Sequence, residues 1–327
     1  MRILVTGGTG FTGSHLVQRL LEQGHEVRVL DNRAGHFAER LRERGAAITL
    51  GSVADQPLVD RCVRDCEVVF HLAAAFRELD VPRAYYWQIN VQGTRHVAAA
   101  AQRFGVRKFI HCSTCGVHGS ITHPPGDERA PIAPEDYYQR TKYEGERVVQ
   151  EFVDRGLDAV IIRPAAIYGP GDPERFAHLF RLTRRGRFLM FGSGRTLYHP
   201  LYIDNLLDAF ELAAARDGCQ GQAYLVADEH YWSLNELIQH VARALDVRVR
   251  IRHLPYWPLW AAAWVCELAC KPLRIAPPIF PRRVAWFRQD RAFSIEKARR
   301  QLGYQPRVGI EQGMSATAEW YQRHNHL

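Results

Sequence analysis

The chain has 327 residues, of which 46% are hydrophobic and 24% charged, and its formal net charge is +8. This length and composition suit one globular α/β unit with a smaller lobe, and they exclude a disordered or fibrous chain. Acidic residues are interspersed among the basic ones and no long basic run occurs, so no nucleic-acid partner is predicted.

An apolar strand begins at the second residue, with no signal segment before it and no apolar run of membrane-spanning length after it. We therefore expect a cytoplasmic protein. The seven cysteines are an odd number, and four of them form pairs at helical i, i+4 spacing, as buried thiols often do. Cys112 and Cys115 form a C-x-x-C without a second ligand pair at zinc-finger spacing, so no metal is predicted.

The first strand, predicted at residues 2–6, leads directly into Gly7, Gly10 and Gly13. Glycines let the backbone turn tightly and approach a pyrophosphate, and the helix predicted at 13–23 directs unpaired N–H groups toward such an anion. The spacing is G-x-x-G-x-x-G, which differs from the commonest dinucleotide-binding fingerprint, G-x-G-x-x-G. The surrounding pattern therefore has to support a dinucleotide site.

A second predicted strand at 26–30 supplies that support, because it ends in Asp31. A carboxylate about 20 residues after the glycines is suited to accept the hydroxyls of an adenosine ribose and to repel a 2′-phosphate. The pattern therefore predicts NAD as the cofactor. NADP is the less favoured alternative, which the neighbouring Arg33 would tolerate.

Further apolar strands alternate with helical patterns, at 47–50, 67–72, 107–112, 158–163 and 223–227. This alternation predicts an α/β fold with a Rossmann-type, doubly wound parallel sheet and a smaller, interleaved C-terminal substrate lobe. Residues 1–170, with about 198–227, are assigned to the NAD-binding domain, and 171–197 with 228–327 to the substrate lobe. Ligands of such sheets bind beyond the carboxyl ends of the strands, which is where the notable polar residues fall.

Tyr138 and Lys142 are one turn apart on a predicted helix, so the phenol and the ammonium share a face. A phenol ordinarily titrates near pH 10, but an adjacent ammonium and an oxidised nicotinamide stabilise the phenolate and make the tyrosine a usable acid or base. Upstream, the strand at 107–112 ends in Ser113 and Thr114, and the Thr114 hydroxyl is placed to bind a substrate oxygen.

Taken together, these segments resemble the extended short-chain dehydrogenase/reductases. The resemblance rests on TGGTGFTG near the start, HLAA at 71–74, Asn90 in NVQGT, Tyr138-x-x-x-Lys142 and RPAAIYGPGD at 163–172, and it extends to LGYQPRVGIEQGMSATAEWY near the end. It implies a Rossmann fold, a nicotinamide cofactor, catalysis by Thr114, Tyr138 and Lys142, and a homodimer formed through helices near 85–103 and 138–155.

The resemblance also implies roles within the cofactor site. The first glycines, with Phe11 and Thr12, would meet the pyrophosphate, and Asn90 would be a structural residue behind the site. The full predicted set is Gly7, Gly10, Phe11, Thr12, Gly13, Asp31, Asn32, Arg33, Ser52, Val53, Leu72, Ala73, Ala74, Asn90, Cys112, Tyr138, Lys142, Pro164 and Ala165. Two positions depart from the family: Ser52 replaces the usual aspartate near adenine, and His118 replaces a tyrosine.

Two further departures from the family's usual residues narrow the class of substrate. Sugar 4,6-dehydratases of this family carry Asp-Glu after the catalytic threonine, whereas this chain has Cys115-Gly116, so dehydration is not expected. Nucleotide-sugar enzymes commonly grip the diphosphate with an arginine, and the matching position here is Tyr198. The predicted substrate contacts are Phe76, Thr114, Cys115, Ala166 and Tyr198.

The segment 254–275 carries three tryptophans on a short apolar helix, followed by prolines and arginines. Three interpretations remain open: peripheral contact with the inner face of a membrane, a lid over an apolar substrate, or packing into the lobe's core. The sequence favours an NAD-dependent dehydrogenase of a 3β-hydroxysteroid or sterol, with decarboxylation if the substrate is a 4-carboxysterol. The alternative is a nucleotide-sugar 4-epimerase that retains its NAD. A non-catalytic NAD-binding protein would be expected to lack the tyrosine or the lysine, and this chain has both.

Overall fold

A computed structural model of the protein describes residues 1–76, 81–172, 175–271 and 277–327. The strands are β1 (Arg2–Thr6), β2 (Glu26–Asp31), β3 (Ala47–Leu50), β4 (Val68–His71), β5 (Lys108–Cys112), β6 (Ala159–Pro164), β7 (Ala166–Tyr168), β8 (Arg187–Phe191), β9 (Leu197–Tyr198), β10 (Pro200–Tyr202), β11 (Ala223–Val226), β12 (Trp232–Ser233) and β13 (Arg250–Leu254).

The helices are α1 (Phe11–Glu22), α2 (Ala38–Glu43), α3 (Gln56–Val63), α4 (Arg83–Trp87), α5 (Thr94–Arg103), α6 (Tyr137–Val153), α7 (Arg175–Arg184), α8 (Ile203–Ala215), α9 (Leu234–Ala244), α10 (Tyr256–Cys270), α11 (Pro281–Val284), α12 (Glu296–Leu302) and α13 (Ile310–Arg323). A π-helical segment, Gln88–Gly93, joins α4 to α5, and short 3-10 turns lie at Cys115–His118 and Ala285–Phe287.

Seven strands form one parallel sheet in the order β11-β6-β5-β4-β1-β2-β3. The central strands β4 and β6 are buried at every position, as expected where helices cover both faces of a parallel sheet. This is the Rossmann-type fold that the sequence predicts, and the strand positions agree to within about two residues. The carboxyl ends of β1, β2, β4, β5 and β6 meet along one edge.

Two apolar cores lie on opposite faces of the sheet. One joins the sheet to α3, α5 and α6, and the other joins it to α1 and α8 and continues into the C-terminal part of the chain as far as α13. Beside the second core, buried Asp228 accepts hydrogen bonds through Oδ1 from the Tyr202 N–H and Asn205 Nδ2, both at 2.8 Å. The predicted division into domain and lobe stays a prediction, since the second core spans both.

Smaller two-stranded sheets build the C-terminal part: β7 with β10, β9 with β12, and β8 with β13. Helix α9 begins with a capping box, since the Ser233 hydroxyl accepts the Glu236 N–H at 3.3 Å and Glu236 accepts the Ser233 N–H at 2.8 Å. Within the described residues, no helix combines the length and the hydropathy needed to cross a bilayer.

Candidate active site

A cleft of about 400 Å³ opens at the carboxyl edge of the parallel sheet. It brings together eighteen of the nineteen predicted cofactor residues, namely Gly7, Gly10, Phe11, Thr12, Gly13, Asp31, Asn32, Arg33, Ser52, Val53, Leu72, Ala73, Ala74, Cys112, Tyr138, Lys142, Pro164 and Ala165. Two predicted substrate residues, Phe76 and Thr114, lie in the same cleft. The remaining cofactor residue, Asn90, is buried behind it.

The glycine turn shapes one end of the cleft. Gly7 adopts a positive φ of +71°, and a Cβ there would lie 2.8 Å from the backbone nitrogen of Ala73, so the turn itself requires glycine. A Cβ at Gly10 would meet only the Gly7 carbonyl at 3.4 Å, an ordinary contact. Packing within the protein therefore does not require the absence of a side chain at position 10, whereas the close approach of a ligand phosphate would.

Helix α1 begins at the same turn. Its N-terminal cap, Gly10, has no side chain to satisfy the first N–H groups of the helix, which leaves them available to an anion in the cleft. A dinucleotide pyrophosphate is an anion of the required size and charge.

Asp31 is held at the end of β2 by a residue that the sequence interpretation missed. The Oδ2 atom of Asp31 accepts hydrogen bonds from the Thr9 N–H at 2.9 Å and from the Thr9 hydroxyl at 2.7 Å. The Thr9 hydroxyl also accepts the Gly35 N–H at 3.1 Å. Thr9 thus orients the carboxylate and the loop after β2, and a hydroxyl residue between the first two glycines was the available signal.

A continuous chain of hydrogen bonds runs beneath the cleft. The Ala73 N–H donates to Thr6 Oγ1 at 3.2 Å, and Thr6 Oγ1 lies 2.7 Å from His71 Nδ1. His71 Nε2 lies 3.0 Å from Thr94 Oγ1, which donates to the Asn90 carbonyl at 2.8 Å. Burial lowers the pKa of His71 to about 3, so the ring is neutral. Because the Thr94 hydroxyl donates its proton to the Asn90 carbonyl, His71 Nε2 donates to Thr94 and Nδ1 accepts from Thr6.

Asn90 connects this chain to the helix that carries the tyrosine. Its Oδ1 accepts the Ala75 N–H at 2.8 Å, and its Nδ2 donates to the Ala75 carbonyl at 3.2 Å and to Thr141 Oγ1 at 2.9 Å. Thr141 Oγ1 in turn donates to the Tyr138 carbonyl at 2.9 Å. Asn90 therefore links the backbone of Ala75 to α6, and the structural role that the resemblance implies for it stays a prediction.

Tyr138 and Lys142 both face the cleft from the first two turns of α6. The helix starts where the Asp136 carboxylate accepts the Gln139 N–H at 2.8 Å. Lys142 is 1% exposed, and burial lowers its pKa, an effect opposed by the nearby Cys112 and Glu146. The phenol ring of Tyr138 packs against Phe76, with 4.9 Å between the ring centroids.

The two hydroxyls after β5 have different surroundings. Ser113 donates to Glu146, whose carboxylate also receives Arg163 through Nε at 3.0 Å and Nη2 at 2.6 Å. Thr114 Oγ1 accepts the Gly116 N–H at 3.1 Å, a bond that does not use the hydroxyl proton. Thr114 can therefore donate to a ligand in the cleft, while the proton of Ser113 is committed to Glu146.

His118, one of the departures from the family pattern, completes that buried ion network. Arg163 Nη1 donates to His118 Nε2 at 3.0 Å, and His118 Nδ1 donates to the Ala130 carbonyl at 3.0 Å. Burial, followed by the charge of Arg163, lowers the pKa of His118. The ring is therefore neutral and accepts from the guanidinium.

Three predicted substrate residues do not line the cleft. Cys115 and Ala166 are buried, in the 3-10 turn after β5 and in β7. Tyr198 packs against Trp286 and Phe176, with ring centroids 5.9 and 6.4 Å apart. All seven cysteines are free thiols, and among the described residues no group of three or more His, Cys, Asp or Glu side chains is arranged to hold a metal.

The fold and the cleft together define a class: a nicotinamide-dependent oxidoreductase of the Rossmann type. The glycine turn and the uncapped start of α1 suit the pyrophosphate, the carboxylate after β2 suits the adenosine ribose, and the Tyr-Lys pair lies at the far end, where a nicotinamide would lie.

Comparison with known proteins supports this class. Residues 3–227 match the NAD-dependent epimerase/dehydratase family, and the chain belongs to that family of extended short-chain dehydrogenase/reductases. It is an enzyme family, and its cofactor is NAD.

The relatives and solved structures differ in what their names say they act on. The chain is 32% identical to a 2-alkyl-3-oxoalkanoate reductase of Stenotrophomonas maltophilia, over 96% of this chain and 97% of the relative. It is 31% identical to a 3 beta-hydroxysteroid dehydrogenase/Delta 5-->4-isomerase of Mycobacterium tuberculosis, over 98% and 90%. The structure is similar to UDP-glucose 4-epimerase of Thermotoga maritima, with a TM-score of 0.80, 26% identity and coverage of 99% and 100%.

Proposed function

We propose that the protein is an NAD-dependent dehydrogenase or reductase acting on the secondary alcohol or ketone of an apolar substrate, a 3β-hydroxysteroid or sterol. The observation that supports this most is the Phe76 ring packed against Tyr138, with Thr114 in the same cleft. Phe76 is 38% exposed, so an apolar surface adjoins the acid/base residue where the substrate has to sit.

In the proposed reaction, Thr114 donates a hydrogen bond to the substrate oxygen and Tyr138 removes the hydroxyl proton. The Lys142 ammonium stabilises the tyrosinate form of Tyr138, which accepts this proton and becomes the neutral phenol. Bound NAD supplies the acceptor for the hydride that leaves the carbinol carbon. The reverse reduction uses the same residues, with Tyr138 returning the proton to the alkoxide oxygen.

The names of several relatives support an apolar substrate that carries a carboxylate near the reacting carbon. A mouse relative at 29% identity is a sterol-4-alpha-carboxylate 3-dehydrogenase, decarboxylating, and the Stenotrophomonas relative takes a 3-oxoalkanoate. We therefore include 4-carboxysterols and 2-alkyl-3-oxoalkanoates beside simple 3β-hydroxysteroids in the substrate panel. Loss of carbon dioxide after oxidation would follow only where the substrate carries that carboxylate.

The test is an assay of NADH absorbance with this panel, run with wild type and with Tyr138→Phe as the inactive control. Steady formation of NADH from a sterol, or consumption of NADH with an oxoalkanoate, supports the proposal. Absence of turnover with every apolar alcohol and ketone contradicts it.

The second candidate is a nucleotide-sugar 4-epimerase with retained NAD, which is favoured by the similarity to the Thermotoga enzyme and by a relative at 28% identity that is a 4-epimerase of an undecaprenol-linked sugar. Against it stands Tyr198, which occupies the position of the usual diphosphate-binding arginine and is packed among aromatic rings. Inversion of a UDP-sugar without release of NADH would establish the epimerase and exclude the dehydrogenase.

A further inference from the structure

Helix α10 is apolar, yet it is largely exposed. Of its 15 residues only Ala263 is buried. Trp257, Trp260, Trp264, Val265 and Leu268 are between 45% and 71% exposed, and we call these five residues the apolar stripe. Trp257, Trp260, Trp264 and Leu268 follow one another at spacings of three or four residues and share one side of the helix, and Val265 flanks them. A surface helix normally turns such a stripe toward the protein, whereas here it points outward.

The strand pair that leads into α10 is also unusual on its outer face. In the β8–β13 pair, Arg187 lies beside Arg250 and Leu189 beside Arg252, and Leu254 follows on the same face. All five side chains are exposed, and we call this surface the basic ribbon face. It combines positive charge with two exposed leucines immediately before the apolar stripe.

Charged residues at the ends of α10 have the same sign. Lys271 is exposed directly after the helix, and the Arg288 guanidinium lies 5.2 Å from the Tyr256 ring centroid at its start. The exposed acidic residue on α10 itself is Glu267. Between positions 250 and 288 the sequence has seven Arg or Lys residues and this one acidic residue. Among the described residues, a positively charged side chain thus lies at each end of α10.

From these observations we infer that α10 and the basic ribbon face bind the surface of an anionic lipid bilayer. Fifteen residues of helix span about 22 Å, less than the roughly 30 Å of a hydrocarbon core, so α10 lies at the interface and does not cross it. Tryptophans favour the headgroup region, and arginines and lysines favour anionic headgroups.

A second copy of the chain fits this surface less well. A two-fold interface sets the same patch against itself, and it would bring Arg187, Arg250 and Arg252 of the two copies together. Lipid phosphates instead neutralise these charges. The inference does not depend on the substrate, because its test measures binding and not turnover.

The experiment is flotation of the full-length protein with vesicles of phosphatidylcholine alone and of phosphatidylcholine mixed with phosphatidylglycerol. Wild type is expected to float with the mixed vesicles, and its tryptophan emission to shift to the blue and to be quenched by brominated lipid. The combined variant Trp257→Gln, Trp260→Gln, Trp264→Gln should bind at least about tenfold more weakly. The matched control is Trp87→Gln, which replaces an exposed tryptophan on α4 and should bind like wild type.

A second variant, Arg187→Gln, Arg250→Gln, Arg252→Gln, should lose the preference for the anionic vesicles and the sensitivity to salt. Thermal unfolding and NADH binding of both variants should match wild type, since the replaced side chains are exposed and lie away from the cleft. Failure of wild type to bind either vesicle overturns the inference, as does equal binding by the tryptophan variant. It is also overturned if sedimentation without lipid shows that the tryptophan substitutions dissociate a dimer.

Discussion

Helices α6 and α10 differ by only two residues in length, but they distribute polar and apolar side chains in opposite ways. Helix α6 buries Lys142 and Glu146 against the sheet, whereas α10 exposes three tryptophans. Each arrangement costs folding free energy, because a buried charge loses its hydration and exposed apolar area loses its burial. In α6 that cost accompanies the cleft with Tyr138 and Lys142, and in α10 it accompanies the surface that we propose binds lipid.

The largest expected effect is on Tyr138. Tyr138→Phe should lower the turnover number about a thousandfold, because the proton acceptor is lost, while the dissociation constant for NAD stays nearly unchanged. Steady-state kinetics and NADH fluorescence titration measure the two quantities.

The control for Tyr138 is Tyr137→Phe, one residue earlier, whose ring lies under the Arg83 guanidinium at 5.3 Å. That variant should keep nearly full activity. If the two variants are equally active, Tyr138 is not the acid/base residue.

Two buried lysines give the next comparison. Lys142→Met should lower turnover about a hundredfold and move the acidic limb of the pH profile of alcohol oxidation to higher pH, because the phenolate loses its cation. Because burial lowers the pKa of Lys142, the ammonium destabilises the fold at neutral pH, and the variant should unfold at the same or a higher temperature.

Lys108→Met is the matched case in which the buried cation has structural partners. Lys108 Nζ donates to Asp158 Oδ2 at 2.7 Å and to the Arg216 carbonyl at 2.9 Å. The variant should lose about 1 to 3 kcal/mol of unfolding free energy with unchanged turnover number. Chemical denaturation and kinetics on both variants check the contrast, and a loss of turnover with Lys108→Met would refute it.

Asp31→Asn should weaken NAD binding about tenfold and reduce the discrimination against NADP, since the repulsion of a 2′-phosphate is removed while an acceptor for Thr9 is kept. The ratio of the two dissociation constants is the measurement. Asp55→Asn is the control: Asp55 caps α3 by accepting the Leu58 N–H at 3.1 Å, and its substitution should leave the ratio unaltered.

The smallest effect on turnover is expected at Asp228, which acts on stability. Burial raises the pKa of Asp228 to about 7, well above its value in an unfolded chain. The folded state therefore holds a proton that the unfolded state releases, and the unfolding free energy falls as pH rises from about 4 to about 7.

Asp228→Asn should remove this fall in the unfolding free energy with pH. Thermal unfolding of wild type and of the variant at a series of pH values measures the difference between the two proteins. This difference also cancels the contribution of His199 to the pH dependence of stability. Burial lowers the pKa of His199 to about 4, so its contribution has the opposite sign to that of Asp228. Parallel stability curves would contradict the assignment.

The sequence predicted those parts of the site that depend on local pattern. Glycine spacing located the turn of Gly7 and Gly10, and helical spacing paired Tyr138 with Lys142. Residues whose position depends on long-range packing were either missed or wrongly assigned to the site. Thr9 follows β1 and contacts Asp31 at the end of the neighbouring strand β2. Tyr198 was assigned from the resemblance to the family, but it packs in an aromatic cluster.

The orientation of α10 could not be predicted for a related physical reason. Apolar residues occur all around the helix, so periodicity does not distinguish an inward from an outward face. Only the packing of neighbouring elements shows that Ala263, and not the tryptophans, faces the protein.

The three hydrogen bonds of Asn90 have a mechanical consequence. They tie the backbone of Ala75, next to Phe76, to Thr141 of α6, so we expect this wall of the cleft to hold its position relative to Tyr138. Separating them would leave several buried polar groups without partners, at a cost of about 1 to 3 kcal/mol each. We therefore expect the geometry around the phenol to be preserved while a bulky substrate enters and leaves the cleft.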